Sequence, residues 1–238
     1  MKKFVDIPVK SVKNIRDLGG IITKDFKITK YGKFIRSANL SKILDEDIQF
    51  LKKYGVKSIL DLRRKEEVEK SYVKKIKQHF NYYNISLFND EFSDEVVEDI
   101  IYGKIDVSEK YIDALHDYKV IKKILNLIIN SESVLFHCFE GKDRTGIVSM
   151  LLLGISNVSN DKIIANYEVS SSYLGYIEKY EEKEKLNKLR ITSPYIMKNT
   201  LNLFLKEFRS FENYFLEVGI SHDEIEQFKK SFLEEIND

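Results

Sequence analysis

The chain has 238 residues, with 39 Lys+Arg against 38 Asp+Glu for a net charge of +1, 43% hydrophobic residues and 32% charged ones. That balance excludes a disordered chain, and a chain this long buries roughly 70–75% of its unfolded surface without help from disulfides or metal. Near-neutrality argues against a domain built to grip nucleic acid, and the single cysteine excludes an intrachain disulfide and fits a reducing compartment.

The longest apolar stretch, 147–155, is interrupted by Ser149 and Gly154 and falls far short of the roughly 20 residues a membrane span needs. At the N-terminus, MKKFVDIPVK breaks at Asp6 before an apolar export segment forms. The expectation is a soluble, cytoplasmic protein with no nucleic-acid partner and no integral membrane contact. Nothing in the composition sets an oligomeric state.

Only Pro8 and Pro194 occur, with no Gly/Ser/Pro-rich linker and no repeat, so one domain over 1–238 is expected. Loop and short strands fill the first forty residues, with a turn at Gly19-Gly20 and a strand near 33–36. Asp45 is placed to cap a helix over 46–54, with Gly55 at its end. Strands follow over 57–62 and 82–87, then helices near 93–102 and 107–129.

The run 133–137 reads as a buried strand, and 145–153, apolar nearly all round, as a helix packed into the middle of a domain. Further helices are predicted over 160–173, 176–189, 194–208, 211–218 and 222–235. Pro194 stands at a first helical position behind Ser193, and Ser221 and Glu224 have capping-box spacing. Strands alternating with helices and then a helical tail indicate an α/β fold with a mostly parallel sheet.

The segment that carries chemistry is His137-Cys138-Phe139-Glu140-Gly141-Lys142-Asp143-Arg144-Thr145-Gly146. Between a strand and an apolar helix, such a loop turns successive N–H groups and the positive end of the helix dipole into one concavity, which is an anion site. The only cysteine lies at its mouth, where helix end and cations favour the nucleophilic thiolate. Arg144, six residues on, has the planar fork that grips two oxygens of a tetrahedral anion. An Arg at that spacing from the sole Cys arises by chance about 3% of the time, and with Gly141 at the third position about 0.1%.

The implied reaction is in-line attack of sulfur on phosphorus, then hydrolysis of the phosphocysteine by water. Loop amides from Phe139 to Gly146, together with Arg144, stabilise the equatorial oxygens. Thr145 is expected to hydrogen-bond the sulfur as it leaves.

The string HCFEGKDRTG resembles the cysteine-based phosphatases with the C-x5-R loop, and among them the bacterial tyrosine and lipid phosphatases whose loop reads HC-x-x-GKDRTG. Asn14-Ile15-Arg16-Asp17-Leu18-Gly19-Gly20, Arg36-Ser37-Ala38-Asn39-Leu40 and Asp61-Leu62-Arg63-Arg64 with Glu67 add to the resemblance, which spans about 13–155. It implies a dual-specificity-phosphatase-like fold, a central parallel sheet flanked by helices with the loop at the strand carboxyl ends. It also implies hydrolysis without metal or cofactor, on a phosphotyrosine-containing protein or, as the alternative, on a phosphoinositide or inositol phosphate.

A movable Trp-Pro-Asp loop is absent, since the chain has no Trp and neither Pro precedes an Asp. Three carboxylates therefore compete to protonate the leaving group: Asp143 first, because the family branch keeps an Asp in the loop, then Asp61 at a strand end, then Asp90. Lys142 is expected to touch phosphate or substrate, and in the family a lysine there accompanies activity on phosphoinositides. His137 is read as tuning Cys138 through the neighbouring backbone, Arg16 and Asp17 as bracing the loop, and one of Arg63 and Arg64 as pointing inward. A catalytically silent phosphate-binding module stands as the alternative outside enzymes.

Overall fold

Strands buried on both faces need apolar side chains on both, and Phe34–Ser37, Ser58–Asp61 and Val134–His137 are buried throughout. In a computed structural model of the chain, which describes residues 3–88, 99, 104–177 and 191–236, these runs form the middle of a five-stranded sheet.

In chain order the elements are β1 (Arg16–Asp17), β2 (Lys27–Thr29), β3 (Phe34–Ser37), α1 (Asp45–Tyr54), β4 (Ser58–Asp61), a 3₁₀ turn at Lys65–Glu67, α2 (Lys70–Lys77) and β5 (Asn81–Asn84). Next come α3 (Val107–Leu115), α4 (Tyr118–Ile129), β6 (Val134–His137), α5 (Asp143–Ile155), α6 (Asn160–Glu168) and the short α7 (Ser170–Tyr173). The chain then runs through α8 (Pro194–Phe208), α9 (Phe211–Val218), α10 (His222–Phe232) and β7 (Leu233–Glu235).

The sheet order is β1-β3-β6-β4-β5, with β1 antiparallel to β3 and every other pairing parallel. This is the mostly parallel sheet flanked by helices that the sequence predicts. Its register sets Ser37, His137 and Asp61 side by side at the carboxyl ends of β3, β6 and β4, the edge where open α/β sheets build their sites.

Side chains alternate between two cores, as the two-residue period of a strand requires. Phe34, Leu60, Val134 and Phe136 face the core shared by α3–α6 and α8–α10. Ile35, Ile59 and Leu135 face the one lined by α1 and α2. Helix α5 is buried nearly all round, from Thr145 to Leu153. Among the described residues no helix is long and apolar enough to cross a membrane.

Several element boundaries differ from expectation for local reasons. Asp45 is the first residue of α1, and Leu44 holds the cap position without a side-chain bond. Gly55 does end the helix in the left-handed conformation, φ 112°. The predicted helix over 107–129 is two, because Asp117 accepts from the Val120 N–H at 3.1 Å and starts α4 afresh. The helix predicted over 160–173 likewise divides, into α6 and α7.

The last predicted helix stops at Phe232, where Leu233–Glu235 pairs antiparallel with Lys27–Thr29; a partner strand overrides local propensity there. The fifth strand covers only Asn81–Asn84. The helix predicted near 93–102 and that over 176–189 lie outside the described residues, save Asp99 and the non-helical 176–177.

At α10 the capping box is complete: Ser221 Oγ accepts from Glu224 N–H and Glu224 Oε2 accepts from Ser221 N–H. Ile225, Phe228 and Phe232 then pack into the larger core. Ser221→Ala is expected to lower stability by about 1 kcal/mol, read as a lower urea midpoint at unchanged slope.

Candidate active site

Between the end of β6 at His137 and the start of α5 at Asp143, the chain makes one tight loop. Donors from outside hold its carbonyls. Asn39 Nδ2 and the Asn39 N–H bind Phe139 O at 2.9 and 3.0 Å, Asn14 Nδ2 binds Glu140 O at 3.0 Å and Gly141 O at 3.1 Å, and Arg36 Nη2 binds Gly141 O at 2.7 Å.

A planar trans peptide points its N–H opposite to its C=O, so tying these carbonyls outward turns the amides of Glu140, Gly141 and Lys142 inward. The Gly141 amide reaches Cys138 Sγ at 3.3 Å. Gly141 sits at φ +73°, and a Cβ there would stand 2.3 Å from Ser37 O, so only glycine fits.

Cys138 itself is 3% exposed. Phe139 stands out at the rim, 57% exposed, and Glu140 accepts from Tyr176. Arg144 is held by Glu67 through two parallel bonds, Nη1–Oε2 at 2.7 Å and Nη2–Oε1 at 2.9 Å, the strong fork geometry.

Burial would raise the Glu67 carboxyl, but the bonds from Arg144 and Arg64 overcome it and bring Glu67 down to about 2. The Arg144 guanidinium is correspondingly raised against its burial. Lys142 is 8% exposed and pairs with Asp143 at 2.8 Å. Burial opposes its charge, yet the Asp143 carboxylate outweighs that and holds the ammonium above its usual range. Asp143 also accepts from Tyr111, whose hydroxyl lies 3.0 Å from that of Tyr167.

His137 is fully buried, and that burial lowers its pKa. Its Nδ1 lies 3.1 Å from the Cys138 carbonyl and its Nε2 2.9 Å from the Tyr72 hydroxyl. A neutral ring that donates from Nδ1 and accepts at Nε2 satisfies both contacts. Asp61 is 0% exposed and forked by Arg63, with Nη2–Oδ2 at 2.8 Å and Nε–Oδ1 at 3.0 Å. Burial raises this carboxyl, but the hydrogen bonds and charge of Arg63 oppose that and the carboxyl is held low.

The structure thus gathers Cys138 to Gly146 with Glu67 at one edge of the sheet, and corrects several expected roles. Thr145 Oγ1 is buried with no hydrogen-bond partner among the described residues, so the expected bond to sulfur is not formed; the Gly141 amide takes that place. Arg16 reaches the loop only through Asn14, whose Oδ1 accepts from it. Asp17 does not touch the loop. It accepts from Gly19 N–H at 2.8 Å, Gly32 N–H at 2.6 Å and Tyr54 at 2.7 Å, fixing the turn before β3.

Of the adjacent arginines, Arg63 points in, toward Asp61, while Arg64 pairs with Glu67 at 3.3 Å. Asp90 lies outside the described residues. The direct braces Asn14, Arg36 and Asn39 were in the matching strings without assigned roles, as was Glu67, while nothing in the sequence pattern pointed to Tyr111 or Tyr167.

A family model described as the tyrosine phosphatase family matches residues 7–234, and the chain belongs to that family. A tyrosine-protein phosphatase of Nostoc commune is 35% identical over 146 residues, covering 59% of this chain and 49% of that protein. The triple specificity protein phosphatase PtpB of Mycobacterium tuberculosis is 24% identical over 183 residues, 65% of each. The chain therefore spans about half to two thirds of the length of the curated relatives it matches. Among solved structures, the core catalytic domain of the PP-IP phosphatase SIW14 of S. cerevisiae superposes with a TM-score of 0.45 at 19% identity, over 76% of this chain and 93% of that one.

Because Glu67 is depressed in the folded chain to about 2, from an ordinary 4.5, it contributes stability that is full above pH 4.5 and is lost as pH falls toward 2. Denaturant unfolding at pH 6 and pH 3 should show wild type losing more stability on acidification than Glu67→Gln.

Proposed function

We propose that the chain is a metal-independent phosphatase that cleaves phosphomonoesters through a phosphocysteine at Cys138, with phosphotyrosyl proteins as its substrates. The observation that carries this reading is the loop itself, with its carbonyls tied outward, an amide on the sulfur, and Arg144 preset by Glu67. In this reading residues 1–238 work as one unit. Its support is that Met197, Leu201 and Phe204 of α8 share a core with Ile147 and Leu151 of α5.

Sulfur attacks phosphorus in line with the leaving oxygen, the P–S bond forms as the P–O bond breaks, and the loop amides and Arg144 hold the equatorial oxygens. A protonated Asp143 gives its proton to the leaving oxygen. As the carboxylate it then takes one from the water that attacks phosphorus, as the P–S bond breaks and Cys138 leaves as the thiolate. Exposure favours Asp143 over Asp61: its side chain is 33% exposed at the loop, against 0% for Asp61, which is locked to Arg63. Lys142 is read as ordering Asp143 rather than reaching a substrate headgroup, since its ammonium is buried against that carboxylate. Phe139 at the rim is the natural apolar contact for an aromatic leaving group. The curated relatives named tyrosine-protein phosphatase and triple specificity protein phosphatase support a phosphoprotein substrate.

Phosphate release from a phosphotyrosyl peptide and a phosphoinositide, measured side by side in EDTA, tests both parts. Expected are turnover of the peptide in EDTA and its abolition in Cys138→Ser. Preference for the lipid would transfer the substrate assignment to phosphoinositides, and a folded wild type that binds phosphate without turnover would make the chain a binding module. Asp143→Asn should slow esters with poor leaving groups by about 10²- to 10⁴-fold and those with good leaving groups far less. An equal loss on both kinds of ester would remove Asp143 from the proton-transfer role.

A further inference from the structure

Four positive side chains near the loop meet a carboxylate: Arg63 meets Asp61, Arg64 and Arg144 meet Glu67, and Lys142 meets Asp143. Among the described residues, Arg16 and Arg36 meet none. Arg16 is 1% exposed and Arg36 0%, and both direct their Nη atoms to neutral oxygens. Arg36 donates to Asn166 Oδ1 at 2.7 Å and to Gly141 O at 2.7 Å. Arg16 donates to Asn14 Oδ1, to Asn166 O at 2.6 Å and to Ser170 Oγ at 3.0 Å. The Nε of each is buried with no partner among the described residues.

Burying two guanidinium groups together without counter-ions opposes folding. Burial brings Arg36 down to about 10 and holds Arg16 well below its ordinary range, with Arg36 itself the next cause for Arg16. The groups that favour the Arg36 cation, apart from its hydrogen bonds, lie at the site: Cys138 first, then the Tyr167 hydroxyl, the Asp143 carboxylate and the Tyr111 hydroxyl. For Arg16 they are the Tyr173 hydroxyl and the Asp6 carboxylate.

We propose that Arg16 and Arg36 form a second, buried layer of positive charge behind the loop, and that Asn166 keeps it uncompensated by offering an amide oxygen where a carboxylate of the same shape would fit. The missing counter-charge is then the anion held in the loop, so the field of Arg36 acts through the Gly141 peptide on whatever the loop binds. Arg36 is a positioning residue on this account, because it touches the loop's outer carbonyl and not the bound anion. The inference rests on the reading of 138–144 as an anion site.

Asn166→Asp separates field from structure, since it keeps the hydrogen bond to Arg36 and adds only charge. Inorganic phosphate is the probe, its affinity taken from protection of Cys138 against iodoacetamide, with thermal unfolding recorded alongside. Expected for Asn166→Asp are an unfolding midpoint at or above wild type and phosphate affinity lower by about tenfold, the size of one unit charge offset at an effective dielectric near 20. Affinity equal to wild type would overturn the inference, and so would a weaker affinity accompanied by a lower midpoint, which marks structural damage.

Arg36→Lys should retain more phosphate affinity than Arg36→Gln, and equal losses in the two folded variants would likewise overturn it. If phosphate fails to protect Cys138 in wild type, the anion-site reading falls and takes this inference with it. Protection in wild type that Asn166→Asp leaves intact removes the inference alone.

Discussion

The site depends on the outward anchoring of three loop carbonyls. Left alone, a chain does not hold successive amides on one side, because each peptide dipole repels its parallel neighbour and each inward N–H forgoes water. Here Asn39, Asn14 and Arg36 take the carbonyls of Phe139, Glu140 and Gly141, so the cost of the arrangement is met by hydrogen bonds on its outer side. Those three donors come from the start of the chain and from β3 and its exit, which is why the loop's shape is a property of the sheet. Gly141 completes the fit, since its backbone lies against the end of β3 more closely than any side chain permits.

Electrostatics around the loop follow a division of labour. Arg144, at the start of α5, is held in place by Glu67, and Lys142, in the loop, by Asp143, so neither side chain has much conformational freedom left to lose. His137, wedged between Tyr72 and the Cys138 carbonyl, stays neutral and fixes the backbone beside the sulfur. Behind them lie buried arginines whose desolvation costs on the order of several kcal/mol each. A fold that tolerates such a cost has a large reserve elsewhere, and α5 supplies part of it, with side chains packed on every face between sheet and C-terminal helices.

The C-terminal helices are also part of the site's support. Tyr167 of α6 reaches Tyr111 and packs over Gly146 at the start of α5. Asn166 and Ser170 receive the arginines of β1 and β3. The C-terminal helices, which carry none of the sequence motifs, therefore contribute to the same edge of the sheet as the motif-bearing half.

Much of this was legible in the sequence. The strand–loop–helix around Cys138, the apolar strands, the C-terminal glycine of α1 and the capping box of α10 are local: each follows from residues within one turn or one strand of each other, where backbone geometry and side-chain period leave few choices. The division of 107–129 at Asp117 was also local, yet a continuous apolar spacing hid it. What residue order could not decide was pairing across the chain. That Glu67 would seize Arg144, that Asn14 and not Arg16 would hold the loop, that Asp61 would be sealed by Arg63, and that 233–235 would leave helix for a strand beside β2 all depend on which segments the sheet register brings within hydrogen-bond reach. The sequence by itself determined the strand–loop–helix setting of Cys138 and the chemistry proposed for it, because both reside in ten consecutive residues. The tertiary structure alone decided which charges are paired and which are left bare, because a counter-ion is chosen by proximity in space and by what remains once water is excluded.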